Sequence, residues 1–146
     1  MALAALEEGI CINNSSVTLV HGLSRPIGAL FHVAHGISNA MVLKACFSFA
    51  LEGTYERFAD LARAIGVADA QMGDIAAAEQ FLKAIEHICE VCEVPTLEKH
   101  GIPREEFYAA IPKMAQDALD SGSPGNTRKA PTFEDCQEIY KAAYAR

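Results

Sequence analysis

Histidines are concentrated in one short stretch of this 146-residue sequence. Three of the five, His21, His32 and His35, lie within fifteen residues, and most of their neighbours are small or apolar. A polar ring among apolar residues needs a partner, because burying an unsatisfied polar group costs free energy. Imidazole is also a common ligand of divalent transition metals. The cluster therefore indicates either a metal site or a set of histidines with ordinary structural partners.

Helix geometry limits which of these histidines could share one metal ion. His32 and His35 are three residues apart and would lie on one face of a helix. His21 and His35 are fourteen residues apart, so on one straight helix they would be about 21 Å apart at ~1.5 Å per residue. They converge only if the chain turns back between them. The stretch 33–36 is where one helix could end and another begin.

The rest of the sequence predicts helices, because apolar residues recur every three or four positions and no convincing period-2 strand occurs. Helices are expected to end near residue 11, to cover much of 17–33, 36–51, 54–65, 74–93 and 103–118, and to start again after Thr132, which forms a capping box with Asp135. The six residues Ile75, Ala78, Leu82, Ile85, Cys89 and Cys92 predict a buried stripe. We expect one all-α domain, a helical bundle or array, over residues 1–146.

Composition narrows the function classes. The net charge is -7, which disfavours nucleic acid and anionic membranes as partners. The first residues carry acids where a signal peptide needs basic residues, and the apolar stretch 41–51 is much shorter than the ~20 residues of a membrane span. We therefore expect a cytoplasmic protein with reduced cysteines. Cys89 and Cys92 form a C-x-x-C motif beside His87, which is compatible with a zinc site or a redox role. We favour the interpretation that both cysteines pack in the core.

The histidine stretch resembles a known signature. His21–Gly22, Gly28, His35–Gly36 and the following Asn39–Ala40 are similar to the motif of iron-containing (group III) alcohol dehydrogenases. The resemblance continues through 94–97, 125–128 and 134–144, so that it covers essentially the whole chain. Members of this family have an N-terminal α/β domain that binds NAD(P) and a C-terminal helical domain that holds one divalent metal. The resemblance implies that this chain has the fold of the helical domain.

The resemblance also assigns candidate site residues. The family holds Fe²⁺, or sometimes Zn²⁺, with one aspartate and three histidines, and two of these histidines correspond to His21 and His35. His32 is not at a ligand position, but it is a possible surrogate ligand. Arg25 stands where many members have a histidine near the nicotinamide, which makes it a candidate for cofactor or substrate binding, or else a structural cation. No catalytic residue beyond the metal ligands is indicated.

The other two expected ligands and the nucleotide-binding turn are not in this sequence. Residues 1–20 contain neither aspartate nor histidine, although the resemblance places both ligands before the signature. We therefore expect a C-terminal fragment that lacks the nucleotide-binding domain and the first part of the helical domain. Its Fe²⁺ or Zn²⁺ site would be incomplete, NAD(P) would bind only in the full-length enzyme, and the chain alone would be inactive on the small alcohol or aldehyde substrate.

Two other interpretations stay open from the sequence. The chain could be one half of a split dehydrogenase, or a helical interaction module that has lost catalysis. Helical faces that normally contact the missing parts would be exposed, which predicts a homo-oligomer or a complex with a complementary N-terminal half. Asn126 and Arg128 either help to close the metal site or form a structural turn.

Overall fold

Seven α-helices make up most of the part of the chain that the structure describes. The computed structural model describes residues 2–145, so Met1 and Arg146 of the expected 1–146 domain lie outside the described residues. The helices are α1 (Ala2–Ser15), α2 (Leu19–Phe31), α3 (His35–Leu51), α4 (Tyr55–Ala64), α5 (Asp74–Val91), α6 (Arg104–Asp120) and α7 (Phe133–Tyr144), with a 3₁₀ turn at Ser123–Asn126. No strand occurs within residues 2–145. The all-α prediction is confirmed.

The larger hydrophobic core lies between α2, α3, α6 and α7. It includes the fully or almost fully buried side chains of Leu23, Ile27, Val42, Cys46, Phe107, Met114, Cys136 and Tyr140. The Tyr140 hydroxyl donates to the backbone oxygen of Leu23 at 2.8 Å, which satisfies a phenol buried in this core. Burial raises the pKa of Tyr140, so the hydroxyl keeps the proton that it donates. These contacts fix α2, which carries His21, against α7.

A second hydrophobic cluster joins α4 and α5 to the C-terminal part of α3. Its centre is the aromatic group of Phe47, Phe58 and Phe81, whose ring centroids are 5.5 to 6.3 Å apart. Lys44 of α3 forms a salt bridge with Glu86 of α5 beside this cluster. Because α3 contributes residues to both hydrophobic clusters, it is the helix that connects them.

Helix α1 differs from the others because none of its residues is buried. Leu3, Leu6 and Ile10 expose 67%, 62% and 55% of their surface. Their spacing of three and four residues places them on one face of the helix. The helix therefore presents an apolar face that nothing in the described part of the chain covers.

Two local predictions need correction. The helix that was expected to end near residue 11 continues to Ser15, and the Asn14 amide donates back to the Ile10 carbonyl at 2.7 Å. The predicted stripe of α5 is wrong for Ile75, which is 59% exposed, and for Cys92, which is also exposed.

The buried face of α5 instead consists of Ala77, Ala78, Phe81 and Cys89. Small alanines allow α4 to pack closely against α5. The spacing of apolar residues alone does not show that this face favours small side chains. Core packing is confirmed for Cys89 and not for Cys92, and all five cysteines are free thiols. The capping box of α7 is confirmed by both of its hydrogen bonds, at 2.9 and 3.1 Å. No helix among residues 2–145 is long and apolar enough to cross a membrane.

Candidate metal centre

A sharp turn between α2 and α3 brings two histidines together. His32 ends α2 in the left-handed conformation, with φ 54° and ψ 34°, and His35 begins α3. The chain thereby reverses, and the ring centroids of His21 and His35 are 5.2 Å apart with an angle of 51° between the ring planes. From the sequence, His21 and His35 could meet only if the chain turned back between them, and the structure contains this turn. Their role as metal ligands stays a prediction.

The side chain of Asn39 lies against both imidazole rings. Its Nδ2 atom is 3.2 Å from His35 Nε2 and 3.5 Å from His21 Nε2. Asn39 follows His35 by one helical turn, so α3 supplies both residues from the same face. The two Nε2 atoms therefore face one common point, which is the arrangement that two metal-binding imidazoles need.

A buried serine fixes the orientation of this amide. The Ser24 hydroxyl donates to Asn39 Oδ1 and lies 3.3 Å from the His21 carbonyl oxygen. Because the Asn39 oxygen accepts from Ser24, the NH₂ group of the amide points toward the imidazoles. The sequence motif includes Asn39 without giving it a role, and Ser24 was not predicted as a site residue. Their i+3 and i+4 spacing from His21 and His35 is the signal that would have found them.

The 3₁₀ turn supports the part of α2 that carries His21. Pro124 packs so closely on Gly22 that a Cβ atom there would lie 2.6 Å from Pro124 Cγ. The Thr127 hydroxyl accepts from the Leu19 backbone NH at 3.1 Å, and the Asn126 amide donates to the Val17 carbonyl at 2.9 Å. Asn126 therefore has a structural role in this loop.

The two arginines named from the sequence have structural contacts. Arg25 is exposed, and its Nη1 atom donates to the Ser123 hydroxyl in the 3₁₀ turn at 3.1 Å. Arg128 lies 3.9 Å from Glu56 at the start of α4. A cofactor-binding role for Arg25 stays a prediction, and Arg25 also acts on the imidazole of His21 through its charge.

Electrostatics favour the neutral form of one histidine. Partial burial lowers the pKa of His21, and the positive charges of His35 and Arg25 lower it further, while Glu8 acts in the opposite direction. The lowered pKa favours the neutral imidazole of His21. Neutral imidazole is the form that binds metals.

The donor set fits part of a metal site. Two imidazole nitrogens face one point, but residues 2–145 contain no group of three or more His, Cys, Asp or Glu side chains placed to hold one ion. His32 is exposed at the end of α2 and does not complete such a group. Its surrogate role stays a prediction and would need its side chain to move.

Comparison with known proteins shows the family. Residues 1–144 match the Fe-containing alcohol dehydrogenase family, C-terminal. The chain belongs to this family, as the histidine signature predicted. The family comprises iron-containing, NAD(P)-dependent oxidoreductases.

Three curated relatives illustrate the range of the family. Lactaldehyde reductase of Escherichia coli (strain K12) is 31% identical over 145 residues, which are 99% of this chain and 37% of that protein. NAD-dependent methanol dehydrogenase of Bacillus methanolicus is 28% identical over 98% of this chain and 37% of that protein. NADPH-dependent butanol dehydrogenase of Clostridium saccharobutylicum is 22% identical over 99% of this chain and 37% of that protein. The chain thus spans a little over one third of the length of these relatives.

Solved structures give the same assignment. The crystal structure of a 1,3-propanediol oxidoreductase matches 92% of this chain and 35% of that one, with a TM-score of 0.85 and 26% identity. An alcohol dehydrogenase from Oenococcus oeni matches 93% of this chain and 35% of that one, with a TM-score of 0.84 and 28% identity. The helical array is therefore the fold of the C-terminal domain of these dehydrogenases.

The contact between Gly22 and Pro124 gives a testable prediction. We expect Gly22→Ala to lower the free energy of unfolding by about 1–3 kcal/mol, because its new Cβ would overlap the rigid proline ring. Gly36→Ala is the matched control, since Gly36 is also helical and a Cβ there would meet nothing within 4 Å. Urea unfolding of both variants measures the difference. Equal stability of the two variants would show that the 3₁₀ turn does not press on α2.

Proposed function

We propose that this chain is the C-terminal, metal-binding portion of an NAD(P)-dependent, metal-assisted alcohol or aldehyde oxidoreductase, and that it is inactive alone. The observation that carries the proposal is the convergence of His21 Nε2 and His35 Nε2, both within 3.5 Å of one amide nitrogen. Membership of the family supplies the reaction class.

His21 and His35 are the residues that would hold Fe²⁺ or Zn²⁺. A bound ion acts as a Lewis acid that polarises the oxygen of an alcohol or aldehyde. The contribution of this chain is to present two imidazole nitrogens from two helices fixed by the core. Two protein ligands are fewer than the three or four that such sites use, so binding by the chain alone is expected to be weak.

The cofactor and substrate follow from the relatives. Their names specify NAD in one case and NADPH in another, together with methanol, butanol and lactaldehyde as substrates. We infer that the complete enzyme transfers hydride between NAD(P) and a small alcohol or aldehyde. NAD(P) would be held mainly by the part of the enzyme that corresponds to the other two thirds of these relatives. Arg25 is the candidate of this chain for contact with the cofactor.

The exposed apolar face of α1 supports the proposal that this chain has a partner. We infer that Leu3, Leu6 and Ile10 contact the polypeptide that completes the dehydrogenase, either in the same chain or, in a split enzyme, in a second one. In its absence the same face is expected to drive homo-oligomerisation. Residues 1–146 would act as one helical domain, since α3 contributes to both hydrophobic clusters. A cytoplasmic location is part of this proposal.

Metal titration tests the assignment of the ligands. Isothermal titration of the tag-free chain with Zn²⁺ is expected to show weak binding that is lost in His21→Ala/His35→Ala. The matched control is His87→Ala/His100→Ala, which removes two exposed histidines and should leave the binding unchanged. Equal loss in both double variants would contradict the ligand assignment, and tight 1:1 binding would contradict the expectation that the site is incomplete.

An activity assay accompanies the titration. With NADH or NADPH and lactaldehyde, the zinc-loaded or anaerobically iron-loaded chain is expected to show no turnover. Turnover that disappears in His21→Ala/His35→Ala would overturn the claim that the chain is inactive alone.

Self-association tests the role of α1. Replacing Leu3, Leu6 and Ile10 together by serine is expected to weaken self-association by at least about tenfold, because it removes the apolar face. Ile88→Ser is the control, since Ile88 is 54% exposed on α5. Sedimentation equilibrium measures both variants. A monomeric wild-type chain, or an unchanged constant in the triple variant, would contradict this role.

A further inference from the structure

The side chain of Asn39 links the two helices of the candidate metal centre. It contacts Ser24 and His21 in α2, and His35 one turn earlier in its own helix α3. Each polar atom of the amide has a partner, and the two partners of its nitrogen are the two candidate metal ligands. A structural amide with no relation to the metal centre would not need to contact both ligands.

We propose that Asn39 is the positioning residue of this centre, and that its amide nitrogen holds both imidazoles toward the point where a metal ion would bind. The proposal rests on the assignment of His21 and His35 as ligands. It adds a residue whose role is to turn both Nε2 atoms toward one point before the ion arrives.

The orientation of the amide follows from Ser24. Ser24 is fully buried, and its hydroxyl donates to Asn39 Oδ1, which leaves the NH₂ group of the amide on the side of the imidazoles. The NH₂ group has two protons, one for each facing Nε2 atom. A ring nitrogen that accepts such a proton carries a lone pair and no hydrogen, which requires both imidazoles to be protonated on Nδ1. The same tautomer presents Nε2 to a metal.

The expected benefit is preorganisation. Two exposed or half-exposed imidazoles without a common partner would occupy several rotamers and both tautomers, and ordering them on binding would cost affinity. Asn39 restricts them to the binding arrangement. An ion bound at the common point would replace the contacts of the NH₂ group with the two rings, while the Ser24 hydroxyl would still donate to Asn39 Oδ1.

The first arm of the test uses the metal-free protein. Long-range ¹⁵N–¹H spectra of the histidine rings are expected to show the Nδ1-protonated tautomer for His21 and His35 in the wild-type chain. Asn39→Leu keeps a similar volume but has no amide, so a mixture of tautomers is expected at both rings. An unchanged tautomer in this variant would overturn the proposal. Ser24→Ala, which releases the amide oxygen, should shift the tautomers in the same direction.

The second arm replaces the amide by a metal-binding group. Asn39→Asp would place a carboxylate oxygen beside two imidazole nitrogens and create a set of three protein ligands. We expect Zn²⁺ to bind this variant at least about tenfold more tightly than the wild-type chain, and the gain to disappear on adding His35→Ala. Asn14→Asp, an equal charge change on the exposed helix α1, is the control and should produce no gain.

The two arms separate this proposal from the proposed function. One possible outcome is that the wild-type chain binds no zinc, while Asn39→Leu changes the tautomers and Asn39→Asp binds zinc. In that case Asn39 positions the rings, but the assignment of His21 and His35 as ligands in the natural chain is wrong. If the wild-type chain binds zinc through His21 and His35 while the tautomers ignore Asn39, the function stands and the positioning role is wrong. Failure of Asn39→Asp to gain affinity would mean that the amide does not face the common point.

Discussion

The reversal of the chain between α2 and α3 is the constraint on which the candidate metal centre depends. On one straight helix His21 and His35 would be about 21 Å apart, whereas their ring centroids are 5.2 Å apart. The turn needs a left-handed residue, which His32 supplies, and it is held by Val33, which is only 5% exposed. A Cβ atom on Gly28 would lie 3.2 Å from the Val33 carbonyl oxygen, so a glycine at this position lets the turn fold back closely over α2.

The other helices keep this reversal in place. Tyr140 of α7 donates to the Leu23 carbonyl beside the candidate site, and Pro124 presses on Gly22 from the 3₁₀ turn. Helix α3 continues beyond the site into the α4–α5 cluster, so its position is fixed at both ends. A pair of exposed or half-exposed imidazoles can therefore have a defined geometry, because rigid helices carry both of them.

Much of the architecture could be predicted from the sequence because helices are indicated by local residue patterns. Apolar spacing and a capping box were enough for the all-α fold, and the histidine–glycine pairs were enough for the family. The buried face of α5 was harder to predict from the sequence. Ala77 and Ala78 are buried because they are small, whereas Ile75 is exposed. The contact of Arg25 with Ser123 joins residues 98 positions apart, and no local pattern encodes it. Asn39 and Ser24 lay within helical spacing of the histidines, but only the folded chain shows that the two pairs meet.

The central claim is that His21 and His35 present their Nε2 atoms to one metal ion. The most direct measurement is the ¹⁵N chemical shift of all five histidine rings while one equivalent of Zn²⁺ is added to the chain. We predict that the Nε2 signals of His21 and His35 shift together, and that His32, His87 and His100 keep their signals. A shift at Nδ1, a shift confined to one of the two rings, or an equal response at the other three histidines would contradict it.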